Sequence, residues 1–177
     1  MRGRPVVFAA LLAAAVASAD DAPAVHVDIA AVAASRHVVP VDGITSAGQP
    51  DAEVLKVFAN AGYVAVVDLR GAGEDRGLAD EAGTVRSLGM EYVSMPIEGA
   101  EAISFANARR LDTLLSRFEG PVLVHCGSGN RVGALLALRK SLQGADDEEA
   151  IEYGLDAGLT RAEGLVRQRL KESDPRQ

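Results

Sequence analysis

The stretch VLVHCGSGNRVGALLALR, residues 122–139, joins a short apolar run to a longer apolar segment through a glycine-rich loop. The short run, which follows Pro121, predicts a buried strand, and the longer segment predicts a largely buried helix. In open α/β sheets, ligands bind at the carboxyl ends of the strands, where this loop would lie. The loop also holds Cys126, the only cysteine of the chain. It is therefore the first candidate for a functional site.

The flanking sequence predicts alternating strands and helices. Strands are expected within YVAVVDL (residues 63–69) and MEYVSMPI (90–97), and helices within DAEVLKVFANAG (51–62), residues 78–88 and residues 104–118. Two more helices follow residue 145, the first of them opening on an acidic run that suits a helix N-terminus. The pattern predicts an α/β fold with a mainly parallel central sheet flanked by helices and a helical C-terminal tail.

The N-terminus has the pattern of a signal peptide. Arg2 and Arg4 precede an apolar run and the small residues Ala17-Ser18-Ala19. The apolar run is shorter than the roughly 20 residues that a membrane-spanning helix needs. We therefore expect residues 1–19 to be cleaved, with export to the periplasm and no stable membrane span afterwards; an uncleaved anchor is the alternative. The expected organisation continues with a lead-in over 20–40, one domain over 41–172 and a disordered tail over 173–177.

Composition excludes several classes of function. The formal net charge of −7 and the scattered basic residues argue against a nucleic-acid partner. His26 and His37 have no second ligand at metal-binding spacing, so neither a metal nor a cofactor is expected. A single cysteine cannot form an internal disulfide, and Cys126 is thus an inert apolar residue, an intermolecular partner or a reactive thiol.

The setting of Cys126 favours a reactive thiol. A helix N-terminus and a nearby arginine both stabilise a thiolate, which is the nucleophilic form of cysteine. Arg131 offers a planar fork of donors that suits tetrahedral oxyanions. His125 either orients the loop or is an ordinary strand-end histidine, and Ser128 either donates to the anion or closes its own turn. The predicted anion-binding loop comprises His125, Gly127, Ser128, Gly129 and Asn130.

The segment HCGSGNRVGA (125–134) resembles the phosphate-binding loop of the protein tyrosine and dual-specificity phosphatase superfamily. ITSAGQPDAEVLKVFANAGYVAVVDLR (44–70) and EAGTVRSLGMEYVSMPI (81–97) are similar to its bacterial dual-specificity-like subgroup, the beta-lactamase-hydrolase-associated phosphatase-like domain. The resemblance covers roughly residues 42–142. It implies a phosphatase-like fold in which Cys126 attacks phosphorus and Arg131 binds the phosphoryl oxygens.

Two features of the loop depart from that family pattern. Four residues separate Cys126 from Arg131, where phosphatases usually have five, and Val132 stands where they usually have serine or threonine. The short loop is also similar to that of single-domain rhodaneses, which carry a persulfide on the cysteine. A sulfurtransferase that holds its persulfide on Cys126 is therefore the alternative.

The general acid also departs from the family pattern. The resemblance implies an aspartate on a mobile loop, but the corresponding segment PIEGAEAIS (96–104) offers only Glu98 and Glu101. Either glutamate is a general acid or a solvated surface charge. Glu74 and Asp75 are weaker candidates that are expected to lie on the surface of the neighbouring loop.

Asp68 and Arg70 close a predicted buried strand. We expect supporting, structural roles for them, although Arg70 could reach the anion.

Taken together, the sequence predicts an exported cysteine-dependent phosphatase-like hydrolase of phosphomonoesters. Its substrate would be a small phosphorylated or sulfur-bearing compound, or a phosphoprotein. A non-catalytic module that binds an anion or a partner is the third possibility.

Overall fold

A computed structural model describes residues 24–40 and 43–172. Five strands form one sheet in the order β1-β2-β5-β3-β4, and every pair of neighbours is parallel. The strands are β1 (Val25–Val27), β2 (Ile44–Ala47), β3 (Ala65–Asp68), β4 (Glu91–Ser94) and β5 (Val122–His125). The helices are α1 (Ile29–Ser35), α2 (Ala52–Asn60), α3 (Glu81–Ser87), α4 (Phe105–Leu115), α5 (Asn130–Leu142), α6 (Asp147–Asp156) and α7 (Glu163–Glu172), with a 3₁₀ turn at Ala100–Ala102.

The central strand β5 is covered on both faces because its side chains alternate between two apolar clusters. Val122 and Val124 pack into the cluster that includes α4 and α5. Leu123 packs with Phe58 of α2 and Val85 of α3 on the opposite face. Burial on both sides explains why this strand is a continuous apolar run without polar alternation.

Side-chain hydrogen bonds cap the N-termini of α2 and α4. Asp51 accepts a hydrogen bond from the Val54 N–H at 2.8 Å, and Ser104 accepts one from the Asn107 N–H at 3.3 Å. Such caps satisfy N–H groups that have no partner inside the helix. The α2 and α4 helices therefore begin where the sequence indicates.

The predicted α/β fold with a mainly parallel sheet and a helical C-terminal tail is confirmed. Part of the segment expected to be a lead-in joins the sheet, since β1 pairs with β2 as an edge strand. Residues 1–19 and 173–177 lie outside the described residues, and the signal peptide and the disordered tail stay predictions. Within the described part of the chain, no helix is both long and apolar enough to cross a membrane.

Candidate active site

The loop that contains Cys126 lies at the carboxyl end of β5, the middle strand of the sheet. It leads directly into α5, which begins at Asn130. The antiparallel bridge between Gly48 and Ser128 holds the loop against the chain that follows β2. This is the position at which α/β folds bind ligands, and it agrees with the location expected from the sequence.

Cys126 is buried, with 1% of its surface exposed. Its Sγ accepts a hydrogen bond from the Gly129 N–H at 3.1 Å. Gly129 can aim that N–H inward because its φ of +84° is a conformation that side chains with a Cβ rarely adopt. The sulfur therefore lies at the N-terminus of α5, where the helix dipole favours a negative charge.

Arg131 lies on the first turn of α5, beside the sulfur. Its Nη1 and Nη2 donate to Glu74 Oε1 at 2.5 Å and to Oε2 at 2.6 Å. Nη1 also lies within reach of two carbonyl oxygens, Ile97 O at 3.1 Å and Leu69 O at 3.4 Å. Within the described residues these contacts leave the Nε–H edge of the guanidinium for another acceptor. The hydrogen bonds that Arg131 donates to Glu74 and the charge of Cys126 raise the pKa of Arg131 despite its burial.

Glu74 is the nearest acidic partner of the site, although the sequence indicated only a weak candidate. The Gly71 N–H donates to its Oε1 at 2.7 Å. The hydrogen bond from Arg131 and that from Gly71 lower the pKa of Glu74, so that it is a carboxylate. The available signal was a glutamate in the glycine-rich loop after β3, the strand next to β5.

A buried charged cluster lies at the same end of the sheet and has Arg70 at its centre. Arg70 is fully buried and donates through Nε to Asp68 Oδ1 at 2.9 Å and through Nη2 to Asp68 Oδ2 at 3.0 Å. Its Nη2 also pairs closely with Glu81, and its Nη1 donates to Gln49 Oε1 at 2.7 Å. Because its donors are used inside the protein in this way, Arg70 has a structural role beside the loop.

Asp68 is ionised in this cluster. Burial alone would raise the pKa of Asp68, but hydrogen bonds from Arg70, together with an electrostatic contribution of the neighbouring His125, hold it at about 2. Tyr92 donates to Asp68 Oδ2 at 2.9 Å, and burial together with this hydrogen bond raises the pKa of Tyr92 to about 12. Arg76 adds a second cation, with its Nη1 at 2.6 Å from Asp68 Oδ2.

His125 belongs to the same cluster because its side chain points away from the sulfur of the next residue. Its Nε2 lies 2.8 Å from Glu81 Oε1 and 3.9 Å from Asp68 Oδ1. Within the described residues neither ring nitrogen has a well-aligned hydrogen bond, although the ring lies in close contact with Glu81. Asp68, Glu81 and His125 are close enough to ligate a cation. However, Arg70 already pairs with both carboxylates and supplies the positive charge there.

The structure separates the two glutamates that were proposed as general acid. Glu98 lines a cavity of about 550 Å³ together with Arg131 and Glu74, and its Oε1 accepts the Ala72 N–H at 3.1 Å. Glu101 is 93% exposed and pairs with Arg169 at 3.1 Å. The structure brings Glu98 to the site and does not bring Glu101 there.

The remaining predicted loop residues have mainly local contacts. Asn130 Oδ1 accepts hydrogen bonds from the Thr160 N–H at 2.9 Å and from the Ala162 N–H at 3.1 Å, which fastens the loop to the start of α7. Gly127 O accepts the Gln49 N–H at 3.4 Å. These contacts fix the loop backbone, and the Asn130 side chain also lines the cavity.

Apart from the polar Asn130, the remaining walls of the cavity are apolar or glycine. They include Ile97, Ile103, Ala162, Leu165, Gly71, Gly73 and Gly99. Arg131 is the only basic residue that lines it within the described chain. Such a cleft has room for a small ligand with one anionic group held at Arg131.

A buried cysteine at a strand-to-helix junction, with an arginine on the first turn of the following helix, is the arrangement that the resemblance to phosphatases implies. The chain belongs to the family described as DSP-PTPase phosphatase fused to NAD+ kinase, whose model matches residues 42–170. The resemblance inferred from the sequence is thereby confirmed at the level of the family.

Two curated relatives are similar in sequence to part of this chain. The beta-lactamase hydrolase-like protein of Xylella fastidiosa (strain Temecula1) is 32% identical over 119 residues, which are 63% of this chain and 27% of the relative. The protein of the same description from Agrobacterium fabrum is 30% identical over 112 residues, 62% of this chain and 26% of the relative. The chain thus spans about a quarter of the length of these relatives.

Solved structures show the same fold. A crystal structure from Neisseria meningitidis has a TM-score of 0.61 and 22% identity, covering 73% of this chain and 90% of its own. TpbA of P. aeruginosa, in a complex with pTyr, has a TM-score of 0.54 and 19% identity, covering 75% of this chain and 81% of its own. At these identities the likeness concerns the fold.

Proposed function

We propose that this phosphatase-family protein hydrolyses phosphomonoesters through a phosphocysteine on Cys126. The observation that carries the proposal is the Cys126 Sγ, which accepts the Gly129 N–H at the start of α5, with Arg131 on the first turn of that helix. The N–H and the helix dipole stabilise the thiolate, and the free edge of Arg131 would bind the phosphoryl oxygens. The pTyr bound by the P. aeruginosa relative supports a phosphorylated substrate.

The reaction would proceed in two displacements. In the first, the thiolate forms an S–P bond as the P–O ester bond breaks, and the leaving oxygen takes a proton from the general acid. In the second, water attacks phosphorus, the S–P bond breaks to restore the thiolate, and the water proton returns to the same carboxylate. Arg131 would stabilise the charge on the equatorial oxygens in both steps.

Glu98 is the general acid that the geometry favours. It lines the cavity with Arg131, whereas Glu101 is held outside by Arg169. We expect Glu98→Gln to lower kcat for phenyl phosphate by about 10²-fold, because a poor leaving group needs a proton. The loss should be smaller for 4-nitrophenyl phosphate, whose phenolate leaves unprotonated. Glu101→Gln is the matched control, and equal losses in both variants would contradict the assignment.

Sulfur transfer is the second candidate, and Val132 is the observation that favours it. Val132 is fully buried and apolar, and offers no hydroxyl next to the sulfur to stabilise a departing thiolate. In this reaction Cys126 would take the sulfane sulfur of thiosulfate, releasing sulfite, and pass it from the persulfide to cyanide as thiocyanate. The four-residue spacing before Arg131 is compatible with a single sulfur atom in the loop.

One pair of assays separates these functions. The reduced protein and its Cys126→Ser variant would be tested for phosphate release from 4-nitrophenyl phosphate and for thiocyanate formation from thiosulfate and cyanide. Phosphate release that depends on Cys126 supports the proposal, and thiocyanate alone supports sulfur transfer. Saturable binding of inorganic phosphate without either product would indicate the non-catalytic module.

We further propose that the protein is exported to the periplasm. The support is the sequence of residues 1–19, with two arginines, an apolar run and a small-residue cleavage site. Expression of the full chain in a Gram-negative host, followed by fractionation and N-terminal sequencing, tests it. The expected product begins at Asp20 and is recovered in the periplasmic fraction. An intact N-terminus in the cytosol would overturn the proposal.

A further inference from the structure

His26 lies outside the family match, on the edge strand β1, yet faces the candidate active site. It pairs in register with Ser46, which pairs in turn with Val124 of the central strand. Residues paired in this way point to the same face of the sheet, and Val124 packs on the side of α5. The His26 Nδ1 is 3.5 Å from Ser46 Oγ, so the ring is directed to that side as well.

The imidazole occupies space that two glycines leave open. A Cβ built on Gly129 would lie 2.6 Å from His26 Cε1, and one built on Gly158 would lie 2.7 Å from His26 Nδ1. Real Cβ atoms do not approach so closely, so the ring rests directly on both backbones. Gly158 belongs to the turn after α6, and both glycines have positive φ angles.

Gly129 is the residue whose N–H contacts the Cys126 sulfur at 3.1 Å. It also accepts the Gly133 N–H at 2.9 Å in the first turn of α5, so its backbone sets both the helix start and the donor to sulfur. The next residue, Asn130, is fixed by the hydrogen bonds that its Oδ1 accepts from Thr160 and Ala162. The outer surface of Gly129 has the ring of His26 as its neighbour.

We propose that His26 is a positioning residue for the Cys126 loop. It acts through Gly129 and keeps the Gly129 N–H on the Cys126 sulfur. The role depends on the flat shape of the ring, since the contacts with both glycines are made by ring atoms against backbone. The edge strand β1 then contributes a residue to the active site, even though the family match begins only at residue 42.

The test compares His26→Ala, His26→Phe and His37→Ala in the full chain, the last as a control from the same segment. The first readout is the rate at which iodoacetamide alkylates Cys126, which needs no catalytic turnover. The second is kcat and KM for 4-nitrophenyl phosphate, and this arm rests on the proposed function. Thermal unfolding shows that each variant is folded.

We expect His26→Ala to change the alkylation rate severalfold and to lower kcat by about tenfold with little change in KM, because the sulfur and its donor are misplaced. His26→Phe should restore most of both values, and His37→Ala should match the wild type. Alkylation and kcat unchanged in His26→Ala, or a Phe variant as impaired as the Ala variant, would overturn the proposal. If the wild type releases no phosphate, the alkylation result still decides it.

Discussion

Arg70 and Arg131 both pair with carboxylates at the carboxyl end of the sheet, but their surroundings differ. Arg70 is fully buried and donates to Asp68, Glu81 and Gln49. Arg131 has 22% of its side chain exposed and pairs with Glu74 through one end of its guanidinium. An arginine whose donors are all used inside the protein supports the fold, whereas one with a free edge beside a cavity can bind a ligand.

The carboxylate partners of the two arginines differ in the same way. Asp68 and Glu81 are buried, and their charges are stabilised only by their neighbours. Glu74 is more exposed and is solvated in part. Loss of a partner should therefore cost mainly stability in the buried cluster and mainly activity at Arg131.

The largest expected effect is that of Arg70→Met on stability. Methionine is similar in length but leaves Asp68 and Glu81 as unpaired buried carboxylates, which typically costs about 3–5 kcal/mol. The measurement is urea unfolding followed by circular dichroism, with Arg109→Met on the exposed side of α4 as control. A loss in Arg70→Met no larger than that of the control would show that the cluster does not depend on this cation.

Arg131→Lys should leave the protein folded and reduce its proposed activity. Lysine keeps the charge but loses the planar fork, and we expect kcat/KM for 4-nitrophenyl phosphate to fall about 10³-fold. The free energy of unfolding should change by less than about 1 kcal/mol, since the side chain is partly solvated. Activity close to that of the wild type would exclude bidentate anion binding by Arg131.

Acid should weaken the buried cluster in a defined range of pH. The pKa of Asp68 is about 2 in the folded protein and ordinarily 3.8, so the carboxylate favours folding above its ordinary pKa. That stability, about 2 kcal/mol, is lost as the pH falls from about 4 to 2. Urea unfolding at several pH values should show the advantage of wild type over Asp68→Asn shrinking by this amount. Parallel curves for the two proteins would contradict the prediction.

The smallest expected effect is that of Glu74→Gln on stability. A partly solvated ion pair contributes about 1 kcal/mol or less. Glu81→Gln removes a similar charge from a second arginine, but in a buried position, and should cost several times more. The same denaturation experiment measures both, and equal losses would remove the distinction between the two pairs.

The candidate site was predictable where it is local in sequence. A strand, a glycine-rich loop, a cysteine and an arginine follow one another between residues 122 and 131, so their order alone brings them together. Glu98 was one of two equivalent choices in the sequence. The tertiary structure distinguishes them, because Glu98 lines the cavity with Arg131 whereas Glu101 pairs with Arg169 of α7.

The contacts that the sequence did not indicate come from other parts of the chain. Glu81 precedes His125 by 44 positions in sequence, yet its carboxylate lies 2.8 Å from the imidazole. Glu74 and His26 likewise reach the loop from separate segments. No periodicity links such residues, because their proximity depends on the order of strands in the sheet.

By itself, the sequence determined the alternation of strands and helices, the family and the Cys126–Arg131 loop, since these depend on local apolar patterns and contiguous residues. The tertiary structure decided which charges support and which can bind. Arg70 and Arg131 are both arginines, and only their burial and the number of acceptors near them distinguish their roles. Those quantities are set by contacts between strands that are distant in sequence, where desolvation makes every unpaired charge costly.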